Sequence, residues 1–424
     1  MVLSRLIILV AYSCGELANR LMLTERSVIR MASSNQDDVI QDPLHQPLPE
    51  ALSTEEAQLN RPSWYAEMRQ EHPVRYDEQR ERWDVFRYED VNRILRDHET
   101  FATTHSSNDG GKSMISEDPP EHGRLRNFSS SWFSPRTLRE KRERFEEIAD
   151  ELIDDIEPGH VDIVPEFTHP YPVTIIAESL GLPIDDYEQF IEWSDAALRV
   201  PARTADEEEV TPEEQEQATQ EMSRYFSELI DERSDGTDND LITIAATNDE
   251  LSHEEKITFC TGILVAGNVT TINLITNALW CFAEFDLFDD IRRGAVDREQ
   301  AIEEVLRYRS PAQSLRRIAT QPVEIGGKEI GEGELVVAWN GSANYDPAVF
   351  DAPEEFRPER KPNRHISFGG GIHTCLGAPL ARLEADIALE RLLDRFEVIE
   401  PDLSDLSPQE IPFGLKSLPC YLKN

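Results

Sequence analysis

The most informative segment of this 424-residue sequence is FGGGIHTCLG, which occupies residues 368–377. It isolates one cysteine, Cys375, among glycines and just ahead of an apolar pattern with helical spacing. Glycine has no Cβ, so backbone N–H groups of such a loop can approach the sulfur closely. Hydrogen bonds to a ligating sulfur tune its charge, and a helix that begins near Leu376 directs its positive end at the thiolate. The segment therefore indicates that Cys375 is a single axial metal ligand.

A lone buried cysteine is more often an inert apolar side chain than a ligand. Here a phenylalanine and four glycines stand at fixed offsets from Cys375, which disfavours that alternative. The segment fills every fixed position of F-G-x-G-x-[HR]-x-C-x-G and so resembles the haem-binding signature of the cytochrome P450 superfamily. The resemblance runs from about Ser53 to the C-terminus. It implies haem b as the cofactor, with Cys375 as the thiolate that donates electron density to iron and with Phe368, Gly369 and Gly377 around it.

The composition is strongly acidic, with 42 Lys and Arg residues against 83 Asp and Glu residues and a formal net charge of −41. Arginine carries most of the positive charge. This combination indicates a halophilic protein, because molar salt screens the self-repulsion of such a chain. A disordered acidic chain is the alternative, but apolar residues make up 39% of the sequence and recur with regular spacing. No basic stripe is present to neutralise phosphates, so we expect no nucleic-acid partner.

The cysteine pattern favours a reducing compartment. The sequence contains five cysteines, Cys14, Cys260, Cys281, Cys375 and Cys420. Their number is odd and no C-x-x-C spacing occurs, so neither a disulfide framework nor a zinc site is indicated. A cytoplasmic location fits this pattern.

The first thirty residues differ from the rest, since they carry four arginines and only two glutamates. Their apolar run at residues 5–11 is too short for the ~20 residues that span a bilayer, and we predict no membrane span. The run could be the centre of a signal peptide. We instead interpret residues 1–50 as an N-terminal extension, either disordered or with a start codon assigned too far upstream. Residues 51–424 are then a single haem-thiolate domain.

Hydrophobic periodicity predicts a helix-rich chain with a minor sheet. Predicted helices cover residues 54–72, 88–97, 119–134, 137–156, 161–181, 184–198, 212–233, 237–248, 253–283, 299–308 and 376–396. Predicted strands cover residues 74–77, 83–88, 322–330 and 334–339, and residues 98–118 are predicted as a loop. The resemblance implies the same class: mainly α with a small β region, in the cytochrome P450 fold, a helical prism around a buried haem.

Glu304 and Arg307 form an E-x-x-R pattern on a predicted helix, where side chains three residues apart are neighbours. Alone, such a pair is usually an ordinary surface pair. The segment FRPER at residues 356–360, however, resembles the meander motif of the family. The resemblance implies that Glu304, Arg307 and Arg360 form a buried charged triad with a structural role. Loss of one member should be severe, because it leaves a buried charge without a partner.

His122 and Arg126 lie four residues apart and resemble the H-x-x-x-R of the helix that clasps haem in this family. Arginine recognises carboxylates through a planar fork, which suits a haem propionate. The resemblance implies that Arg317 and His373 are further propionate partners, and His365 is a weaker candidate. The alternative for each is an ordinary surface arginine or a histidine with its hydrogen bonds satisfied.

The sequence AGNVTT at residues 266–271 lies midway along the longest predicted helix and resembles the family pattern A-G-x-[DE]-T. Gly267 and the hydroxyl of Thr270 can open the hydrogen-bond ladder of the helix, since threonine can bond the carbonyl one turn back. By resemblance, Thr270 delivers protons, and Gly267 and Asn268 complete the catalytic group. The departure is Val269, which stands where an acid is usual and cannot relay protons. A packing site for small residues is the alternative.

The resemblance implies a monooxygenase that inserts one oxygen atom of O2 into a lipophilic small molecule and acts as a monomer. No flavin or nicotinamide fingerprint is present, so electrons would come from a separate ferredoxin and an NAD(P)H-dependent ferredoxin reductase. By analogy, substrate would be contacted by Met114, Ile115, Ile263, Val265, residues 312–315 and Phe413, any of which could simply be core.

Two alternatives stay open. Val269 makes a peroxide-driven peroxygenase of the same fold credible, although the arginine that the fatty-acid peroxygenases place near this position is absent. A non-enzymatic haem-thiolate gas-binding protein is the second alternative, and no output domain of a sensor accompanies it.

Overall fold

The computed structural model describes residues 48–103, 112–183, 189–190, 192–193, 196 and 211–424. Most of the predicted N-terminal extension lies outside these residues, as do parts of the predicted loop 98–118 and of the predicted helix 184–198. The described residues are helix-rich with a small sheet content, so the predicted fold class is confirmed.

The N-terminal part combines short helices with a hairpin. Its elements are α1 (Glu55–Leu59), α2 (Arg61–Glu71), β1 (Val74–Asp77), β2 (Arg82–Val85), α3 (Tyr88–Arg96) and β3 (Phe101–Ala102). The single helix predicted over residues 54–72 is wrong, because the chain breaks at Asn60 and restarts with Pro62 in the first turn of α2. Proline has no N–H and is tolerated where a helix donor would be unsatisfied anyway.

The middle of the chain supplies the three longest helices among the described residues, together with shorter ones. They are α4 (Glu121–Ser130), α5 (Pro135–Asp154), α6 (Pro170–Leu180), α7 (Pro212–Glu232), α8 (Leu241–Ala246) and α9 (His253–Glu284). The helix predicted over residues 161–181 is wrong at its start. Residues Gly159–Asp162 form β4, and a π-helical turn at Val164–Thr168 precedes α6. Pairing of β4 with a distant strand overrides local helix preference there, and Pro170 starts a new helix.

The last third alternates helices and short strands. Its elements are α10 (Phe288–Arg292), α11 (Arg298–Tyr308), β5 (Leu315–Ala319), β6 (Val323–Ile325), β7 (Lys328–Ile330), β8 (Leu335–Ala338), α12 (Asn340–Ala343), a 3-10 turn (Gly371–His373), α13 (Ala378–Arg395), β9 (Val398–Pro401), β10 (Pro408–Gln409), β11 (Gly414–Leu415) and β12 (Pro419–Lys423). The strand predicted over residues 322–330 is a hairpin of β6 and β7. We did not predict β5 or the strands after α13, and β3 lies in a segment that we predicted as a loop.

The largest sheet has the strand order β1-β2-β8-β5-β3. Strands β2 and β8 pair in parallel, with Val85 opposite Ala338, and the other neighbours are antiparallel. A three-stranded sheet places β12 between β4 and β9, and β6-β7 and β10-β11 form two small ribbons. Strand β5 thus carries Arg317 into the interior of the largest sheet.

Helix α9 is the central element of the core. Ser252 and Glu255 form a capping box at its start, and Ile275, Ala278 and Leu279 are fully buried near its end. Within the described residues, α9 is the one helix long and apolar enough to cross a membrane by length and composition. Its packing explains that composition, because 59% of its most apolar window is buried inside the protein.

Candidate functional site

A cavity of about 300 Å³ lies beside α9 and the loop of residues 368–377. Most of its lining is apolar, including Met114, Ile176, Ile263, Leu274 and Leu315. Thr270 of α9 lines one part of the wall, and Cys375 lines another. The predicted ligand loop and the predicted catalytic helix therefore face the same space.

Cys375 is held by the backbone that surrounds it. Its N–H donates to the carbonyl of Phe368 over 2.9 Å, and α13 begins three residues later at Ala378. Burial raises the pKa of the Cys375 thiol, while the backbone N–H groups of Gly377 and Ala378 and the guanidinium of Arg126 favour the thiolate. The sulfur thus lies among donors that can stabilise negative charge, as the sequence predicted.

One glycine of the loop is required by close packing. Gly371 has φ +68°, and a Cβ there would lie 2.8 Å from the carbonyl oxygen of Leu95 on α3. A larger residue would push the loop away from α3 and displace Cys375. Gly377 is different, because a Cβ there would meet the sulfur at an ordinary 4.0 Å.

Four of the residues predicted to bind propionates gather at one end of the cavity. The rings of His122 and His373 lie 4.3 Å apart, and Nε2 of His373 is 2.9 Å from Oδ1 of Asp118. Arg126 donates to the carbonyl of Thr374 over 2.6 Å. Arg317, His373 and Arg126 line the cavity, and His122 is buried behind them.

This end of the cavity carries positive charge with little neutralisation. Burial lowers the pKa of Arg317 to about 10, partly opposed by Asp118. Burial, with help from His373 and Arg126, lowers the pKa of His122 to about 4. In the described part of the chain, Arg126 and Arg317 form no ion pair within 4 Å, and Nε2 of His122 has no hydrogen-bond partner. Such an environment favours an anionic group.

His365 is not brought to the cavity. Its Nε2 lies 3.0 Å from a carboxylate oxygen of Glu303, which also pairs with Arg382. His365, the weaker candidate for a propionate contact, therefore interacts with Glu303 outside the cavity.

The face of α9 toward the cavity includes Ile263, Ala266, Gly267, Thr270 and Thr271, which recur at a spacing of three and four residues. The Thr270 hydroxyl donates to the carbonyl of Ala266 over 3.0 Å. Helix α9 is nevertheless continuous from His253 to Glu284. The opened ladder that we expected is absent here, because a carbonyl with two lone pairs can accept from both the hydroxyl and the helix.

Asn268 and Val269 belong to the other side of α9. Both are buried, and neither lines the cavity. Positions 268 and 269 fall about 100° and 200° around the helix from Gly267, so their side chains pack against protein. The structure thus brings Gly267 and Thr270 to the cavity but not Asn268.

Sequence reasoning missed Glu384 of α13, which lines the cavity and is 1% exposed. Its Oε2 has no hydrogen-bond partner among the described residues. Burial raises the pKa of the carboxyl well above its ordinary value, which favours the uncharged form. The available signal was its spacing, because Glu384 lies four residues from Leu380 and Ala388 on the apolar stripe of α13.

The proposed substrate contacts divide into two groups. Met114, Ile115, Ile263, Ala312 and Leu315 line the cavity, whereas Gln313 and Ser314 do not. Phe413 does not, because its ring lies 4.5 Å beneath the guanidinium of Arg61 in a different cavity. The side chain of Val265 lies outside the described part of the structure.

The charged triad is present as predicted. Both oxygens of Glu304 accept from Arg307, over 2.7 and 3.0 Å, and Nε of Arg360 donates to Glu304 over 3.1 Å. The Asn363 amide and the Arg357 backbone N–H also donate to Glu304. All five donors converge on one buried carboxylate, which locks α11 to the segment before the Cys375 loop.

Comparison with known proteins agrees with this geometry. The family model described as Cytochrome P450 matches residues 298–424. Cytochrome P450 109 of Bacillus spizizenii is 37% identical over 370 residues, covering 84% of this chain and 91% of the relative. The chain belongs to the cytochrome P450 family. The erythromycin C-12 hydroxylase of Saccharopolyspora erythraea is 36% identical over 375 residues, and the match covers 84% of this chain and 93% of the hydroxylase.

Solved structures of cytochromes P450 confirm the fold. CYP109E1 from Bacillus megaterium in complex with corticosterone is 38% identical, with a TM-score of 0.79 over 86% of this chain and 99% of that one. CYP109B1 from Bacillus subtilis is 41% identical, with a TM-score of 0.78, and the match covers 85% of this chain and 98% of that one. The predicted superfamily, fold and class of enzyme, a cytochrome P450 monooxygenase, are confirmed.

Family membership implies a haem, and the residues of this cavity fit one. A thiol with N–H donors lines the cavity at Cys375. Arg126 and Arg317 form no ion pair among the described residues, and Nε2 of His122 has no hydrogen-bond partner there. These groups could bind the carboxylates of a haem. The remaining wall is apolar, as a porphyrin requires.

Proposed function

We propose that the protein uses haem b to insert one oxygen atom of O2 into a neutral, apolar organic substrate. Electrons would be supplied by a separate ferredoxin and its NAD(P)H-dependent reductase. The observation that supports this proposal best is the placement of Cys375, among N–H donors, on the wall of an apolar cavity that Thr270 also lines.

In this proposal, Cys375 holds the iron, and Phe368, Gly369 and Gly377 shape the loop around it. Arg126, Arg317, His373 and His122 bind the two propionates. When bound, haem supplies the binding of dioxygen and the cleavage of its O–O bond. The donors to Cys375 moderate the charge on sulfur and so adjust how strongly it donates electrons.

We assign proton delivery to Thr270. Its hydroxyl now donates to the Ala266 carbonyl, and rotation about χ1 would turn it toward the cavity. Gly267 lets Ile176 pack closely against α9 beside the cavity, because a Cβ there would lie 2.7 Å from Cδ1 of Ile176. Val269 cannot carry a proton, so protons must reach Thr270 by another route. Asn268 could contribute only from the far side of α9.

The lining of the cavity favours a neutral lipophile as the substrate. Its positive groups, Arg126 and Arg317, are assigned to the cofactor, and burial raises the pKa of Glu384, which favours the uncharged carboxyl. A charged substrate would find no free counter-ion among the described lining residues. Corticosterone, to which CYP109E1 is bound in its crystal structure, is a neutral lipophile of this kind.

We also propose that the protein is halophilic, cytoplasmic and monomeric, with residues 51–424 as the single catalytic domain and residues 1–50 as an extension. Salt at molar concentration would screen the −41 formal charge. Cys260, Cys281 and Cys420 are buried free thiols, which fits a reducing compartment.

The ligand assignment is tested by Cys375→Ser, with Cys420→Ser as the control for replacing a cysteine outside the cavity. Cys375→Ser should lose the red-shifted band of the reduced CO complex, because a serine oxygen donates less electron density to iron. Cys420→Ser should keep it. A Cys375→Ser protein that retains the band would refute the assignment.

The reaction is tested by titrating the ferric protein with neutral lipophiles, corticosterone included, and following the optical shift as ferric water is displaced. Ligands that bind are then incubated with ferredoxin, reductase and NADPH, or with hydrogen peroxide alone. Product in the first mixture supports the proposal. Product with peroxide alone would instead establish the peroxide-driven reaction that Val269 makes credible.

A further inference from the structure

A half-buried ion pair joins Arg382 of α13 to Glu303 of α11 beside the loop that carries Cys375. Nε of Arg382 donates to Oε1 of Glu303 over 2.5 Å, and Nη2 donates to Oε2 over 3.1 Å. Neither side chain lines the cavity, and the exposed fractions are 39% for Arg382 and 33% for Glu303. The pair therefore lies outside the cavity, where it is open to solvent.

Arg382 contacts both ends of the segment that holds Cys375. Its guanidinium carbon lies 4.5 Å from the centre of the Phe368 ring, and Nη1 donates to the carbonyl of Ala378 over 3.4 Å. A cation over an aromatic face is attracted to the ring. The carbonyl of Phe368 accepts the N–H of Cys375, and the N–H of Ala378 is one of the donors that favour the thiolate. One cationic side chain thus touches two of the residues whose backbones hold Cys375.

Glu303 fixes the direction in which the Arg382 guanidinium points, because two parallel hydrogen bonds to one carboxylate define the plane of the group. His365 reinforces this arrangement. Its Nδ1 accepts the backbone N–H of Ser367 over 3.4 Å, so Nε2 carries the proton and donates to Oε2 of Glu303 over 3.0 Å. Burial opposes ionisation of Glu303, but the hydrogen bonds from His365 and Arg382 outweigh it and lower the pKa of the carboxyl to about 2. Glu303 is therefore a fixed negative charge at neutral pH.

The charge of Arg382 acts on the sulfur as well as on the backbone around it. Burial raises the pKa of the Cys375 thiol, and Arg382 is one of the groups that oppose this effect. Solvent screens part of the charge, since the guanidinium is not fully buried. Glu303 carries the opposite charge next to the guanidinium and weakens the positive potential that Arg382 produces at the loop. The two side chains therefore act on Cys375 in opposite senses.

We propose that Arg382 is a positioning residue that holds the Cys375 loop through Phe368 and Ala378, and that its charge, balanced by Glu303, limits how much electron density the thiolate donates. Hydrogen bonds and charges around a ligating sulfur tune the metal that it holds. The inference rests on the proposed role of Cys375 as the ligand of haem iron. It adds to that role an ion pair outside the cavity that adjusts the ligand.

The test is the midpoint potential of the haem iron, measured by spectroelectrochemistry on the full-length holoprotein at one molar salt concentration. Arg382→Gln should lower the potential, because loss of the positive charge favours the ferric state. Glu303→Gln keeps an oxygen that can accept from Arg382 but removes the negative charge, so it should raise the potential. Arg391→Gln is the matched control, because it removes the same charge about two and a half turns further along α13 and should behave like wild type.

Shifts of opposite sign separate this role from a purely structural one. If the pair only keeps the loop in place, both substitutions loosen the loop and move the potential in the same direction or not at all, and either result would overturn the proposal. Arg382→Lys keeps the charge without the planar fork and should restore most of the potential lost in Arg382→Gln. If Arg382→Gln does not retain haem, Glu303→Gln decides, and a potential at or below that of wild type would refute the inference.

The reduced CO complex distinguishes failure of this inference from failure of the ligand assignment. A wild type without the red-shifted band of thiolate ligation would refute the role of Cys375 and this proposal together. A wild type that has the band, with unchanged potentials in Arg382→Gln and Glu303→Gln, would refute this proposal alone.

Discussion

Replacing Glu384 by glutamine should change how stability depends on pH. Burial raises the pKa of this carboxyl well above its ordinary value of 4.5, and Oε2 has no hydrogen-bond partner among the described residues. The unfolded chain releases the proton near the ordinary value, whereas the folded chain keeps it. Between these two pKa values the folded state binds one more proton, so stability falls as the pH rises.

The magnitude follows from this one proton. Each pH unit within the window lowers the free energy of unfolding by about 1.4 kcal/mol, and two units lower it by about 2.7 kcal/mol. The contribution is fully present below the unfolded pKa and is lost as the pH rises toward the folded pKa. Glutamine has the same shape and no proton to lose, so Glu384→Gln should remove this slope. The variant should gain stability over wild type by the same amount as the pH rises.

The assay is urea unfolding followed by circular dichroism at several pH values between 5 and 7, in constant molar salt. Asp394→Asn is the matched control, because it removes a carboxylate from an exposed position on the same helix. It should keep the wild-type slope. If Glu384→Gln and wild type have parallel pH profiles, Glu384 is ionised in the folded protein and our account of its burial fails.

Three further outcomes are expected. Glu304→Ala should destabilise the protein by about 3–5 kcal/mol, because it leaves two buried guanidinium groups without a partner. Glu299→Ala removes an exposed carboxylate from the same helix and should cost less than about 1 kcal/mol. Similar urea midpoints for the two variants would contradict the structural role of the triad. Lowering salt from molar toward tens of millimolar should release haem or unfold the chain, since the −41 charge is then poorly screened; equal melting temperatures at both salt levels would argue against the halophilic interpretation. Thr270→Val should lower product and raise peroxide per NADPH consumed, and an unchanged ratio would remove Thr270 from proton delivery.

Residues near Cys375 and along α9 were predictable because their signals are local. A cysteine flanked by glycines indicates a ligand loop, and a long apolar run with helical spacing indicates a core helix, whatever the distant sequence is. Strand β4 was missed because its partner β12 lies more than 250 residues later, and residues 159–162 have no strand signal of their own. Strand formation there comes from the partner, which local periodicity does not record.

The candidate site was predictable to a similar degree. Spacing on α9 placed Gly267 and Thr270 on one face, but Asn268 was included only because it adjoins them in the motif. Glu384 was missed because an acid on an apolar stripe usually signals a helix edge, and only the packing of α13 shows that it is buried. Phe413 was misplaced because the path of the chain after α13 is set by distant hydrogen bonds, such as that from Asn273 to the carbonyl of Pro412.

The sheet formed by β4, β12 and β9 has a consequence for how the chain must be made. Its central strand, β12, comes last of the three in sequence and begins more than 250 residues after β4 ends, so β4 is synthesised long before its partner. Until then β4 presents backbone donors and acceptors that could pair with another chain. Nascent molecules should therefore be most prone to aggregate in this interval. A purification tag fused directly after β12 is therefore expected to hinder the pairing of β12 with its neighbours.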